Sequence, residues 1–103
     1  MPRVIENLLY ESLSSGELAG SATAAQLPSI TCNAVQFTAL TDNVGNVYIG
    51  GSGVTVPNGV TDTTSGAPIA PGGSMQFIPC GSLDMFWYIC DNAGDDFVYL
   101  ALT

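Results

Sequence analysis

The chain has 103 residues, enough for one small domain, and 47% of them are apolar, enough for a core. A single Arg faces nine acids, Lys and His are absent, and the formal net charge is −8 with only 10% of residues charged, against roughly 25% in an average soluble protein. These counts exclude an electrostatic grip on nucleic acid or on an anionic membrane surface, and they remove the commonest general base and metal ligand.

Residues 1–20 read as an N-terminal arm or added element, and 21–103 as a single β-sandwich domain. In the first segment Ile5, Leu8, Leu9 and Leu13 fall near helical spacing. Val4, Leu8 and Tyr10 partly fit an alternating strand instead, so a short helix, an added strand and an arm that orders on a partner all remain open. Met1-Pro2-Arg3 is not followed by the uninterrupted apolar stretch of a secretory signal. No apolar run reaches the ~18–20 residues of a membrane-spanning helix.

From Gly20 the strand signals become regular. Ser21 to Gln26 is a weak first strand. Cys32 to Leu40 alternates, with Val35, Phe37 and Ala39 on one face and Ala34, Gln36 and Thr38 on the other. Asp42 to Asn46 is a turn, and Val47 to Gly50 a short strand, which together predict a hairpin between 32–40 and 47–50. Gly50-Gly51-Ser52-Gly53 marks a bulge or a close backbone approach. Val54-Thr55-Val56 is a brief strand, Asp62 to Gly66 a polar loop, and Pro71-Gly72 the central pair of a type II turn. Ser74 to Cys80 follows as a strand, with Pro79 at an edge or end.

The last third is the most apolar. Leu83, Met85, Trp87 and Ile89 share one face, and Phe86, Tyr88 and Cys90 the other; Phe97 to Leu102 is apolar on both sides. Two such strands side by side need cover on both faces. Each buried aromatic gains roughly 1.5–3 kcal/mol, so a stripe of Phe86, Tyr88 and Tyr99 calls for the core, a neighbouring subunit, or loops such as 61–71. The whole is an all-β chain, a β-sandwich or jelly roll of about seven to eight short antiparallel strands with an N-terminal arm.

Few residues offer chemistry. Cys32, Cys80 and Cys90 are odd in number and lack C-x-x-C spacing, so zinc is disfavoured. They read as buried thiols, or as one disulfide between Cys80 and Cys90 with a third thiol free. Asp91 to Asp96 gathers three acids and an Asn; calcium takes such ligands, but hairpin loops need the same residue types and the spacing is not that of an EF-hand. The Gly50–Gly53 run lacks the Lys and following helix of a phosphate loop. No acid–base pair or activated nucleophile can be named, so no catalytic residue, metal or cofactor is expected, and a non-enzymatic role is. Scarce charge implies a Ser/Thr/Asn/Gly surface, or a surface largely buried against other subunits.

The runs Ala25-Gln26-Leu27-Pro28, Cys32-Asn33-Ala34-Val35, Asn46 to Val54 and Gly66 to Gly72, then the Trp/Tyr strand, the Asp91–Asp96 loop and Val98-Tyr99-Leu100-Ala101, carry a resemblance. In this order, over residues 21–103, the chain resembles small β-sandwich virion proteins of tailed bacteriophages, in particular capsid decoration (cement) proteins. The resemblance implies a homotrimeric jelly roll made in the host cytoplasm and seated on the capsid exterior. There it would bridge capsomers of the major capsid protein, without nucleic acid or membrane. Ile5, Leu8, Leu9 and Tyr10 are then candidates for the assembly interface, with Phe86, Tyr88 and Tyr99 in that interface or in the core. The alternative is a receptor- or glycan-binding β-sandwich module of a phage fibre or tail, to which Asp/Asn-rich loops are suited.

Overall fold

The computed structural model describes residues 12–60 and 62–103. Among these residues eight strands form: β1 (Leu13–Leu18), β2 (Ala25–Gln26), β3 (Ala34–Ala39), β4 (Val47–Gly50), β5 (Ala67–Ile69), β6 (Ile78–Pro79), β7 (Trp87–Cys90) and β8 (Phe97–Leu102), with one 3-10 turn at Leu83–Met85. β1 pairs with β8, β2 with β7, β3 with β6 and β4 with β5, all antiparallel. This nesting makes the chain one long hairpin whose tip is the 51–66 connection. Rolling the hairpin sets β3 against β8 and β4 against β7. Two four-stranded sheets result, sheet A in the order β1-β8-β3-β6 and sheet B in the order β2-β7-β4-β5. The fold is a jelly-roll-like β-sandwich.

Alternation in the sequence decides which side chains enter the core. Val35, Phe37 and Ala39 of β3 and Phe97, Tyr99 and Ala101 of β8 point inward from sheet A; Val47, Ile49, Tyr88 and Cys90 point inward from sheet B. Four aromatics fasten the sheets together edge to face. Phe37 meets Phe86 at 5.3 Å and Phe97 at 6.1 Å between ring centroids, and Phe97 meets Tyr88 at 4.7 Å, within the range where ring quadrupoles attract.

Within the segment read as an arm or added element, Leu13–Leu18 is an added edge strand. It is held on β8 over six residue pairs, and beyond them Ser12 and Thr103 exchange backbone N–H···O bonds of 2.9 Å in both directions. Gly16 makes room there for the Tyr99 ring: a Cβ at this position would lie 2.8 Å from the Tyr99 hydroxyl oxygen, so the ring would have to shift. The Pro71-Gly72 turn forms, with Gly72 at φ +77 and the Gly73 N–H donating to the Ala70 carbonyl at 2.7 Å.

Three expectations are corrected. The 32–40 and 47–50 strands are not a hairpin: β3 lies in sheet A and β4 in sheet B, and the 40–46 loop carries the chain between sheets. β7 and β8, too, lie in different sheets and not side by side, so the inner face of each packs against the other across the core. The 54–56 stretch supplies only a single bridge, Thr55 to Ser65, and of 74–80 only Ile78–Pro79 is a strand.

Candidate functional site

The outer faces of the two sheets differ. On sheet B, Tyr48 pairs with Ile89 and Pro68 and faces outward, yet it is only 7% exposed. The 51–66 connection folds back here and buries Val54. A Cβ on Gly50 would lie 2.7 Å from Val54 Cγ2, and one on Gly66 2.7 Å from Tyr48 Cβ. The glycines at both ends of this connection therefore serve a close backbone approach. The chain thus partly covers sheet B with its own tip loop.

Among the described residues, sheet A has no such cover. Its outward side chains stand in cross-strand rows on β1, β8 and β3: Leu13, Leu102 and Ala34; Ser15, Leu100 and Gln36; Glu17, Val98 and Thr38. The central column, Val98, Leu100 and Leu102, is apolar and half-buried, while Leu13 at the edge is 61% exposed. Around Val98 and Leu100 lies an open groove of about 490 Å³, walled by Ser15 and Glu17 on one side and Gln36 and Thr38 on the other. Thr38 is oriented by a 2.9 Å hydrogen bond between its hydroxyl and that of Ser74. The groove offers an apolar floor, neutral hydrogen-bonding walls and one carboxylate.

The acidic loop 91–96 does structural work. Asp95 is 1% exposed, and its carboxylate accepts from the N–H groups of Val44 (2.8 Å) and Gly45 (3.1 Å) and from Asn92 Nδ2 (3.0 Å). Burial alone would raise its pKa, but these donors outweigh it and hold the carboxyl below the usual range. Asp96 accepts from the Gly20 N–H at 2.9 Å and exchanges two bonds with the Asn43 side chain. Asp91 accepts from the Asn46 N–H and the Tyr48 hydroxyl, at 2.8 and 3.0 Å. Burial first, and Asp91 beside it, push the Tyr48 hydroxyl pKa up against the opposing bond from Asn46. The loop is a bracket tying the 19–24, 40–46 and 91–96 connections at one end of the sandwich. No group of three or more His, Cys, Asp or Glu among the described residues is placed to hold a metal ion.

At the other end, Cys32 and Cys80 lie with their sulfurs 3.1 Å apart. This corrects the pairing of Cys80 with Cys90: Cys90 sits on β7 in the other sheet, beside Ser21 and the acidic bracket. Burial and the neighbouring Cys32 push the Cys80 thiol up to about 12. Burial pushes the Cys90 thiol up as well, helped by Asp95, Asp96 and Asp91.

Ile5, Leu8, Leu9 and Tyr10 lie outside the described residues. Phe86, Tyr88 and Tyr99 are 8%, 8% and 9% exposed and belong to the core cluster. The chain's own sandwich takes up these three aromatics, because each stands on the inward face of its strand or entry loop. The outward residues of the same strands are Trp87, Ile89, Val98, Leu100 and Leu102, all half-buried. No protein-family model, curated protein or solved structure matches the chain. The groove residues Ser15, Gln36, Thr38, Val98 and Leu100 were not singled out by sequence reasoning. The signal that could have found them is the apolar character of both faces of 97–102.

Proposed function

We propose that the chain is a non-enzymatic structural protein of a tailed-phage virion, a decoration protein that self-associates as a trimer and bridges subunits of the shell. The observation that carries this reading is the outer face of sheet A: an apolar column beside an exposed Leu13, with Glu17 as the only charge in its rows and no cover among the described residues. Apolar surface of this kind gains from being removed from water. The jelly-roll-like topology and the family resemblance support the same reading by analogy. Ile5, Leu8, Leu9 and Tyr10 precede the edge strand that borders this face and are assigned to assembly with it. A three-fold arrangement multiplies weak individual contacts into one firm attachment, and a protein that binds only the assembled shell stabilises it by mass action.

A second reading has its own observation. The groove over Val98 and Leu100 is walled by Gln36, Thr38, Ser15 and Glu17, which are groups that hydrogen-bond hydroxyls. A glycan-binding module of a fibre or tail would use this same face.

Light scattering of the purified chain, with Leu100→Glu beside it, separates the readings. The structural role requires a mass about three times 10.6 kDa that falls to the monomer in the variant, with the unfolding midpoint little changed. A wild-type monomer that binds arrayed glycans, and loses them in the same variant, would replace the first reading with the second.

A further inference from the structure

We infer that Cys32 and Cys80 form a redox-closed staple, in which a small-molecule disulfide oxidises the two thiols to an intrachain bond that fastens β6 to β3. The inference does not rest on the assembly role. Three observations support it. The sulfurs already stand 3.1 Å apart, in contact with each other. The backbone on either side of them is antiparallel, paired at Val35↔Ile78 and Ala34↔Pro79 and again at the isolated Thr31↔Ser82 bridge, with bends at Asn33 and Gly81 between. The Cys80 N–H donates to the Asn33 carbonyl at 3.0 Å and the Cys32 N–H to the Gly81 carbonyl at 3.2 Å. Third, β6 is the place where a covalent tie has most to add. It is an edge strand of two residues, and Pro79 has no N–H to give.

The chemistry balances with oxidised glutathione as the oxidant. The half-buried Cys80, whose raised pKa leaves only a small thiolate fraction that grows with pH, loses its proton to solvent, attacks one glutathione sulfur, forms a mixed disulfide and releases one glutathione thiolate. Cys32, losing its proton, attacks the Cys80 sulfur and expels the second glutathione. The two cysteines together give up two protons and two electrons, and one glutathione disulfide becomes two thiols. The cross-link joins residues 48 apart in sequence, so it removes much of the freedom of the unfolded chain.

The test treats the native full-length chain with oxidised glutathione and compares it with the chain kept in dithiothreitol. Thiol titration should fall from three free groups to one. Mass spectrometry should find the loss of two hydrogens and a linked peptide pair containing Cys32 and Cys80. The unfolding midpoint should rise by roughly 10 °C or more. Cys90→Ala should behave as the wild type, with no free thiol left after oxidation, and Cys80→Ser should show no midpoint change on oxidation. A native chain that retains three thiols, stops at a glutathione adduct, links Cys90, or forms only interchain dimers would overturn the inference.

Discussion

Replacing Asp95 tests whether the acidic loop is a bracket. Its carboxylate accepts three hydrogen bonds of 2.8–3.1 Å from Val44, Gly45 and Asn92 at a site 1% exposed. Asp95→Ala leaves two backbone N–H groups and one amide without an acceptor. A hydrogen bond to a charged group contributes about 1.5–3 kcal/mol, and an unsatisfied buried donor costs about 1–3 kcal/mol. Water entering the vacated space recovers part of this, so the expected loss is about 3–5 kcal/mol. That is a large share of the about 5–15 kcal/mol that holds a typical domain folded. Asp95→Asn keeps the shape but turns one acceptor oxygen into a donor, and about 1–3 kcal/mol is expected to go. The two variants also differ from the wild type in acid. The folded-state pKa of Asp95 is depressed, so its contribution is present above the unfolded carboxylate pKa of about 3.9. It is lost as pH falls through the lower folded value. Urea unfolding followed by the fluorescence of Trp87, the single Trp, reads all of this between pH 7 and pH 2. The wild type should lose stability below about pH 4 more steeply than Asp95→Asn does. An Asp95→Ala protein within 1 kcal/mol of the wild type at pH 7, or an Asp95→Asn protein with the wild-type acid slope, would refute the bracket.

Two further substitutions probe how the sandwich is held. Gly16→Val should push the Tyr99 ring away from β1, since even a Cβ there would stand 2.8 Å from its hydroxyl oxygen; hydrogen exchange should then lose protection on Leu13–Leu18 first, and unchanged protection would contradict the close approach. Phe37→Ala removes the ring that meets both Phe86 and Phe97, at a cost of about 3–5 kcal/mol in urea unfolding; a loss below 1 kcal/mol would show that the aromatic chain does not couple the sheets.

Face was legible in the sequence and partner was not. Alternation grouped Val35, Phe37 and Ala39 on one face and Phe86, Tyr88 and Cys90 on one face, because a period of two reports which residues share a side of a sheet, and it left open whether Phe86 and Tyr88 meet the core or a neighbouring subunit. It does not report which strand lies alongside. Adjacent strands usually pair, which favoured a hairpin between 32–40 and 47–50. In a rolled hairpin the pairing is nested instead, and β3 finds β8 and β6. The same nesting decides the cysteines. Cys80 is nearer Cys90 in sequence, but β6 returns along β3 and so meets Cys32. β2 and β6, of two residues each, are too short for any period to show. The acidic loop was visible as a cluster of Asp and Asn, but that composition fits a turn, a cation site and a backbone bracket alike. Only the positions of the Val44 and Gly45 N–H groups separate them.

The placement of the acids sharpens the meaning of a charge-poor chain. Asp91, Asp95 and Asp96 turn their carboxylates to donors within the fold, and Asp62 is engaged by the N–H and hydroxyl of Thr64. Four of the nine acids are therefore committed to local structure rather than to coating the surface. On the outer rows of sheet A the one remaining charge is Glu17, which sits on the edge strand β1. A carboxylate there discourages indiscriminate strand addition along the open edge, because pairing would crowd or desolvate it. The apolar column of Val98, Leu100 and Leu102 stands one strand further in and carries no such guard. Among the described residues the charge thus stands at the β1 edge and none stands in the apolar column of the same sheet, a distribution that fits the docking proposed for this face.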